Sequence, residues 1–382
     1  MTSKNLSNSV HEALSCELLV TTFCNMSCTY CLARHMNPAH MDEELGKAAI
    51  DMFMFLSEGA KTLDITFTGG EPLLNLPLIR KLSHYAKIKA EKAGAEIGFV
   101  LKTNGIILDH QIMDFLKSLN FKVVISVDGL PQTHDIYRKD RNGEATQKKV
   151  VSNLKDLIAK GASYVASITV HPNCASALLT NVLYLHESGI KQIDIGPVYG
   201  TAEWTEETIS ELVTSILNIA AYTWKVNKNK SILEIGPLYK NSEHVGGGLS
   251  DSWGCGAGFT NLAFLPNGQI TGCSALAYLA PNFPWLILGH LNNGLDDSAL
   301  KHFLVHSLDN IENRPRCAGC KTAPNCTGGC LAINLSTTES ALLPPSIYCR
   351  MISTIPTAWN VAWGGRFEEA KNEVPPVFWT GR

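Results

Sequence analysis

Residues 16–31 read CELLVTTFCNMSCTYC, an apolar run that leads directly into three closely spaced cysteines. The run predicts a first strand, and Cys24, Cys28 and Cys31 follow it with the spacing Cys-x3-Cys-x2-Cys. Three thiolates on one loop can hold an iron–sulfur cluster and leave one iron without a protein ligand. A structural zinc ion normally needs four protein ligands. The stretch therefore favours a cluster with one open iron over zinc.

Strand-like and helix-like segments alternate from residue 16 to about residue 230. The strand candidates are CELLVTTF from Cys16, TLDITF from Thr62, EIGFVLKT from Glu96, FKVVISV from Phe121, SYVASITV from Ser163 and KQIDIG from Lys191. Helical patterns cover residues 43–57, 77–93, 109–118, 147–160, 177–188 and 206–226. Repeated strand–helix units predict a parallel sheet with right-handed crossovers. Six units are too few for an eight-unit barrel, so we predict an α/β fold: a partial (β/α)6 TIM-type barrel that binds ligands at the carboxyl ends of its strands.

The pattern changes after about residue 230 to loops, glycines and cysteines. NLAFLPNGQITGC, from Asn261, predicts a hairpin that turns at Pro266, Asn267 and Gly268. A short helical pattern starts at about Met351. We predict an N-terminal tail over residues 1–15, the barrel over 16–230, a cysteine-rich domain over 231–350 and a C-terminal helix and tail over 351–382.

Composition excludes several classes of protein. The 382 residues are 45% hydrophobic and carry a formal net charge of −3, so neither a disordered chain nor a dedicated nucleic-acid or membrane binder is expected. The N-terminus has no apolar signal region, and we predict a cytoplasmic protein. Ten of the 12 cysteines fall into three groups, which indicates metal ligands rather than disulfides. Cys16 and Cys174 stand apart and are interpreted as buried or incidental thiols.

The order of the motifs is similar to that of the radical S-adenosylmethionine (SAM) superfamily. Thr68-Gly69-Gly70-Glu71-Pro72 resembles the family's GGEP motif at the end of the second strand, and further motifs follow the third and fourth strands, at Lys102–Gly105 and Ser126–Gly129. Carboxylates pair with ammonium groups and guanidinium groups bind carboxylates, as SAM recognition requires. The resemblance implies SAM contacts from Tyr30, Gly69, Gly70, Glu71, Thr103, Ser126 and Arg138.

The later cysteines resemble those of the SPASM subgroup of this superfamily, which holds two auxiliary [4Fe–4S] clusters. The resemblance implies three clusters in all, the first on Cys24, Cys28 and Cys31. It assigns the outer auxiliary cluster to Cys317, Cys320, Cys326 and Cys349, and the inner one to Cys255, Cys273 and Cys330. The inner set has no fourth cysteine, so either an open iron or a non-cysteine ligand completes it.

The same resemblance implies an enzyme that makes a 5′-deoxyadenosyl radical and oxidises or crosslinks residues of a ribosomally made peptide. An anaerobic sulfatase-type formylglycine maturase is the alternative, weakened because Ser274 stands where that group carries an aspartate base. A small-molecule dehydrogenase and a plain electron-transfer protein fit less well. Asp194, Glu203 and Asp251 are candidates for a replacement base, and the catalytic residues remain unassigned. The expected partners are a peptide or protein substrate, an electron donor such as flavodoxin or ferredoxin, and a separate leader-peptide-binding protein.

Overall fold

The computed structural model describes residues 14–228, 233–239, 256–308, 314, 316–322, 326 and 328–363. Its strands are β1 (Ser15–Thr21), β2 (Thr62–Gly69), β3 (Glu96–Thr103), β4 (Lys122–Ser126), β5 (Ser163–Val170), β6 (Gln192–Pro197), β7 (Glu234–Ile235), β8 (Asn261–Phe264), β9 (Gln269–Thr271), β10 (Ile287–His290) and β11 (Gly294–Leu295).

Helices alternate with the first six strands and dominate the C-terminal part. They are α1 (Glu43–Leu56), α2 (Leu76–Ala93), α3 (His110–Ser118), α4 (Pro131–Tyr137), α5 (Gln147–Ala159), α6 (Leu178–Glu187), α7 (Glu206–Lys228), α8 (Gly236–Tyr239), α9 (Ser274–Leu279), α10 (Asp297–Leu308), α11 (Leu331–Thr338) and α12 (Ser346–Trp363). None of the helices described is both long and apolar enough to cross a membrane.

The predicted α/β architecture is confirmed. Strands β1 to β6 are parallel neighbours in sequence order, and β3 and β5 have the predicted bounds. Their carboxyl ends therefore lie along one edge, where the predicted motifs follow β1, β2, β3 and β4. The sequence analysis missed α4, a seven-residue helix with a proline in its first turn, because so short a segment shows no clear helical period.

The sheet continues beyond the six predicted strands on both sides, in the order β11-β10-β9-β8-β1-β2-β3-β4-β5-β6-β7. Strand β7 pairs in parallel with β6, and β8 pairs in parallel with the outer edge of β1. The predicted hairpin is confirmed as β8 and β9, with Gly268 at a φ of +83° that favours glycine. Its attachment to β1 was not predicted, because pairing between strands so distant in sequence leaves no local pattern.

Strand β1 has two buried faces with different coverings. Cys16, Leu18 and Val20 pack into the main hydrophobic core. On the opposite face Leu19 packs with Ala263, Leu265 and Ala277 in a small second cluster, so β8 and helix α9 cover that side. Glu17 alternates with the core residues and lies on this second face.

Helix α12 is longer than predicted and begins at Ser346 rather than near Met351. It therefore includes Cys349, and it packs against α7. Residues 1–13 and 364–382, which contain most of the predicted tails, lie outside the described residues. The proposed domain limits stay predictions.

Candidate active site at the carboxyl ends of the strands

The loop after β1 brings the first three cysteines together. The backbone N–H of Cys31 donates to the Cys28 carbonyl at 3.3 Å, which closes the loop. Burial raises the pKa of the Cys24 thiol to about 11, and the nearby Glu71, Cys28 and Cys31 add to this increase. Among the described residues, no three His, Cys, Asp or Glu side chains are placed to share one metal ion. Thiolates of a [4Fe–4S] cluster each bind a different iron, so this donor set fits a cluster.

The Gly-Gly-Glu motif after β2 is fastened to the cysteine loop by backbone contacts. Gly70 N–H donates to the Thr21 carbonyl and Glu71 N–H to the Phe23 carbonyl, both at 2.8 Å. A Cβ on Gly69 would lie 2.0 Å from Thr21 O, and one on Gly70 would lie 2.3 Å from Phe23 O. The close approach that requires glycine is therefore between the end of β2 and the end of β1 with its following loop. The SAM contacts of Gly69 and Gly70 stay predictions.

Glu71 is fully buried and joins the second loop to the third. Its carboxylate accepts hydrogen bonds from Leu73 N–H at 3.1 Å, from the Thr103 hydroxyl at 2.7 Å and from Asn104 N–H at 2.8 Å. Burial raises the pKa of Glu71 to about 7, although these hydrogen bonds act in the opposite direction. Contacts of Glu71 and Thr103 with SAM stay predictions.

Asn104 connects β3 to the first cysteine. Its Nδ2 donates to Asn25 Oδ1 at 2.8 Å and lies 3.8 Å from Cys24 Sγ. The sequence analysis quoted this residue within a motif but assigned it no role. Its position directly after Thr103 at a strand end was the available signal.

Tyr30, Asp128 and Arg138 form a buried triad beside the cysteine loop. Asp128 Oδ2 accepts from the Tyr30 hydroxyl at 2.5 Å and from Arg138 Nε at 2.8 Å, and the guanidinium lies 5.2 Å from the centre of the Tyr30 ring. Burial opposes ionisation of Asp128, but the Arg138 charge holds its pKa below the ordinary value. Burial raises the pKa of the Cys28 thiol, and Arg138 lowers it. A cation therefore lies within electrostatic reach of the cysteine loop.

The guanidinium of Arg138 also reaches strand β5. Its Nη2 donates to Thr169 Oγ1 at 3.2 Å. A guanidinium has five N–H donors, so Arg138 retains donors for a ligand carboxylate. The SAM contact of Arg138 stays a prediction.

His134 holds the loop that carries this triad. Its Nδ1 accepts from Asp128 N–H at 3.2 Å, and its Nε2 lies 3.0 Å from Thr146 Oγ1. Burial lowers the pKa of His134 to about 4, and the Arg138 charge contributes. The imidazole is therefore neutral at pH 7, and Nε2 donates its proton to Thr146. Helix α4 is thus tied to the end of β4.

Ser126 lies at the end of β4 in register with Ser167 on β5. The Ser167 hydroxyl is buried and has no hydrogen-bond partner in the part of the chain that the structure describes. An unpartnered buried hydroxyl is costly, so the position of Ser167 beside the end of β4 fits a polar ligand. Ser167 was not predicted, and a polar residue inside the strand SYVASITV was its only signal.

The four cysteines assigned to the outer cluster come together. Burial raises the pKa of Cys349. The neighbouring thiols of Cys326, Cys317 and Cys320 raise this pKa further, and the Arg316 charge lowers it. Burial likewise raises the pKa of Cys317, and Arg314 lowers it. Helix α12 thus brings Cys349 to the loop that holds the other three. Two arginines accompany this set.

Two of the three cysteines assigned to the inner cluster begin neighbouring helices. Cys273 precedes α9 and Cys330 precedes α11, and these helices pack against each other. Burial raises the pKa of Cys330, and the backbone N–H groups of Ile333 and Ala332 at the start of α11 lower it. Cys255 lies outside the described residues. Cys16 and Cys174 are both buried, as expected for thiols without a ligand role.

The structure describes two of the three candidate bases. Asp194 lies on β6, where a Cβ on Gly236 would lie 2.5 Å from its Oδ1. Burial lowers the pKa of Lys122, and the Asp194 charge raises it. Glu203 is exposed, and Asp251 lies outside the described residues. Ser274 is buried at the start of α9.

Sequence analysis missed a charged pair near Ser274. The Glu17 carboxylate lies 3.7 Å from Lys102 Nζ, and its Oε2 accepts from Ser274 N–H at 3.2 Å. A charged residue inside a strand that is buried on both faces was the signal that could have drawn attention to it.

Comparisons with known proteins relate part of this chain to a known family. Residues 18–173 match the model of the radical SAM superfamily. A cysteine-type anaerobic sulfatase-maturating enzyme of Clostridium novyi is 27% identical over 156 residues, 39% of this chain and 41% of that protein. The radical SAM cyclopropyl synthase TigE of Paramaledivibacter caminithermalis is 21% identical over 336 residues, 82% of this chain and 67% of that protein. The first curated relatives are matched over about half of their length.

The fold is shared with a solved structure described as native anSMEcpe with bound AdoMet and Cp18Cys peptide. The two chains superpose with a TM-score of 0.76 at 20% identity, over 94% of this chain and 99% of that one. The chain therefore carries a radical SAM domain followed by a C-terminal extension of the kind found in that structure. The chain is therefore related, through this domain, to peptide maturases and sulfatase maturases.

Proposed function

We propose that the protein generates a 5′-deoxyadenosyl radical from SAM and oxidatively modifies or crosslinks residues of a ribosomally made peptide. The observation that carries the proposal is the cysteine loop of Cys24, Cys28 and Cys31 beside the buried Arg138 guanidinium. The loop supplies ligands for a cluster with an open iron, and Arg138 supplies a cation for the carboxylate of SAM.

We infer three [4Fe–4S] clusters. Cys24, Cys28 and Cys31 would hold the first. The outer cluster would use Cys317, Cys320, Cys326 and Cys349, and the inner one Cys255, Cys273 and Cys330. When bound, such clusters supply and accept single electrons, which SAM cleavage and substrate oxidation require. The protein's own residues bind and orient SAM and keep the reaction away from solvent.

A peptide substrate is supported by the complete set of later cysteines and by the kinship with TigE. It is also supported by the peptide in the related anSMEcpe structure, whose fold this chain shares. An electron donor such as flavodoxin or ferredoxin, and a separate protein that binds the leader peptide, belong to the same proposal.

A sulfatase-type formylglycine maturase is the second candidate, favoured by the similarity to the Clostridium novyi enzyme. Ser274 weakens it, because making an aldehyde needs a proton acceptor and a serine hydroxyl is a poor one at neutral pH. A small-molecule dehydrogenase is disfavoured by the number of cysteines.

The test is to incubate the reduced, reconstituted enzyme and SAM with a peptide that carries a sulfatase motif. A parallel reaction contains the short peptides encoded beside the gene. Mass loss of about two hydrogens on a neighbouring peptide, without aldehyde reactivity, is expected, since each oxidation removes one hydrogen atom and one proton. Efficient aldehyde formation on the sulfatase peptide would support the second candidate instead.

A further inference from the structure

Glu17 is a buried carboxylate outside the set of residues assigned to SAM. It lies on the face of β1 that helix α9 covers, and only 7% of the residue is exposed. Burying a carboxylate is unfavourable unless other groups compensate it. Its neighbours therefore indicate what the carboxylate does.

Two polar groups compensate the carboxylate from opposite sides. Ser274 N–H donates to Oε2, while Lys102 Nζ lies 3.7 Å from Oε1. The Lys102 side chain is 25% exposed and the Glu17 side chain 9%. Oε1 therefore lies beside Lys102, the more accessible residue of this ion pair. The hydrogen bond from Ser274 goes to Oε2 and leaves the lone pairs of Oε1 available.

Tyr278 relates the Glu17–Lys102 pair to two of the cysteine groups. Its hydroxyl donates to the Gly69 carbonyl at 3.1 Å, close to the end of β2. Burial raises the pKa of Tyr278, and the negative charges of Cys31, Glu17 and Cys273 raise it further. Tyr278 therefore lies within electrostatic reach of the first cysteine loop, of Glu17 and of the hairpin cysteine.

We propose that Glu17 is the proton acceptor of the oxidation, a base that β1 supplies next to the backbone of Ser274. The inference rests on the proposed function. In each oxidation the substrate loses a hydrogen atom to the 5′-deoxyadenosyl radical, a proton to Glu17 Oε1 and one electron to an auxiliary iron–sulfur cluster. The product therefore has two hydrogens fewer than the substrate, and atoms and electrons are balanced.

The other groups nearby are poorer acceptors. A Lys102 ammonium has no lone pair, and the Tyr278 hydroxyl stays protonated because burial raises its pKa. Asp194 lies on β6, and Glu203 is exposed on the loop after it. Glu17, in contrast, accepts a hydrogen bond from Ser274 N–H.

The test is the variant Glu17→Gln, which keeps the side-chain length and an oxygen that can accept from Ser274 N–H. Reduced holoenzyme, SAM and peptide are incubated anaerobically, and 5′-deoxyadenosine and oxidised peptide are quantified separately. The probes are the Cp18Cys peptide and each short peptide encoded beside the gene. We expect unchanged iron content and SAM affinity, with product per 5′-deoxyadenosine lowered about 100-fold or more, the scale of a general base.

The matched control is Asp64→Asn, which removes a carboxylate from the neighbouring strand near its amino end, in register with Ser15. It should leave the ratio of product to 5′-deoxyadenosine unchanged. Glu17→Asp should restore part of the ratio, because a shorter carboxylate still accepts a proton.

Three results would overturn the inference in distinguishable ways. An unchanged product ratio in Glu17→Gln excludes Glu17 as the acceptor. Loss of clusters or of SAM binding in that variant assigns Glu17 a structural role. If the wild-type enzyme oxidises neither probe, the proposed peptide substrate fails, and the role of Glu17 in that reaction fails with it.

Discussion

Arg138 Nε lies 2.8 Å from Asp128 Oδ2, and both side chains are buried at the end of β4. Asp128 also accepts from the Tyr30 hydroxyl and from Thr169 N–H, so the carboxylate is fixed by three different segments. The guanidinium is thereby held in one orientation next to the cysteine loop. A cation held in this way can recognise a carboxylate without first losing side-chain freedom.

Replacing Arg138 with lysine should weaken SAM binding. Lysine keeps the charge but loses the planar fork that grips Asp128 and a ligand carboxylate together. We expect a loss of about 1.5–3 kcal/mol, the value of a hydrogen bond to a charged group. Anaerobic calorimetry with the reconstituted enzyme measures it. Arg141→Lys, at an exposed arginine three residues further on, is the control. Equal SAM affinity in both variants would remove Arg138 from the site.

Replacing Cys349 with serine should remove one cluster. Full reconstitution should give about twelve irons per chain, four for each cluster, and the variant should retain about eight. Iron analysis with Mössbauer spectroscopy counts them. Cys16→Ala is the control, because Cys16 lies in the core among apolar residues and should leave the iron content unchanged. Near four irons in a fully reconstituted wild type would contradict the three-cluster proposal.

Arg316 should raise the reduction potential of the outer cluster. Its charge acts on Cys349, and a nearby cation favours the more negative, reduced cluster. Arg316→Gln should lower that potential by up to about 59 mV, a tenfold change for one electron. An EPR-monitored redox titration reports it. Arg350→Gln, exposed beside Cys349 on α12, is the comparison. A larger shift for Arg350→Gln than for Arg316→Gln would refute this assignment.

His134 should make the fold less stable in mild acid. Its pKa is about 4 in the folded protein and 6.5 in an ordinary environment. Its stabilisation is therefore complete above pH 6.5 and is lost as the pH falls toward 4, because the unfolded chain binds the proton first. Between pH 7.5 and 5.5 the loss should be about 1.4 kcal/mol.

The measurement is the urea unfolding free energy at both pH values for the wild type and for His134→Gln. Glutamine can still accept from Asp128 N–H and donate to Thr146, but it does not titrate. The wild type should therefore lose about 1.4 kcal/mol more than the variant. Parallel pH dependence in the two proteins would show that His134 does not stay neutral when folded.

The features that were predicted correctly from the sequence depend on residues close together in the chain. The six parallel strands, their crossover helices and the hairpin could be predicted because each has its own periodicity or turn residues. The cysteine groups were readable for the same reason, since their spacing lies within single loops. Short helix α4, with seven residues, is too brief to show a period.

Contacts between distant segments could not be read in this way. Glu17 reaches Ser274 across 257 positions, and Arg138 reaches Asp128 only because α4 turns the chain back. The Glu71 carboxylate accepts hydrogen bonds from Leu73, Thr103 and Asn104, three contacts that the sequence analysis did not predict. Such contacts depend on the tertiary fold, and the pattern of residues along the sequence does not indicate them.

The pairing of β8 with β1 has a consequence for the order in which the chain folds. The Ser15 hydroxyl donates to Asn261 Oδ1 at 2.8 Å, and the two residues are 246 positions apart in the sequence. The outer edge of β1 therefore stays unpaired during most of synthesis, until β8 has been translated. At roughly 5–20 residues per second, translation takes about 12–50 s to span that distance. Strand edges without a partner associate with other chains. During that interval the nascent protein is open to aggregation through the strand that leads into its first cysteine loop, and chaperone binding to this edge would favour correct assembly.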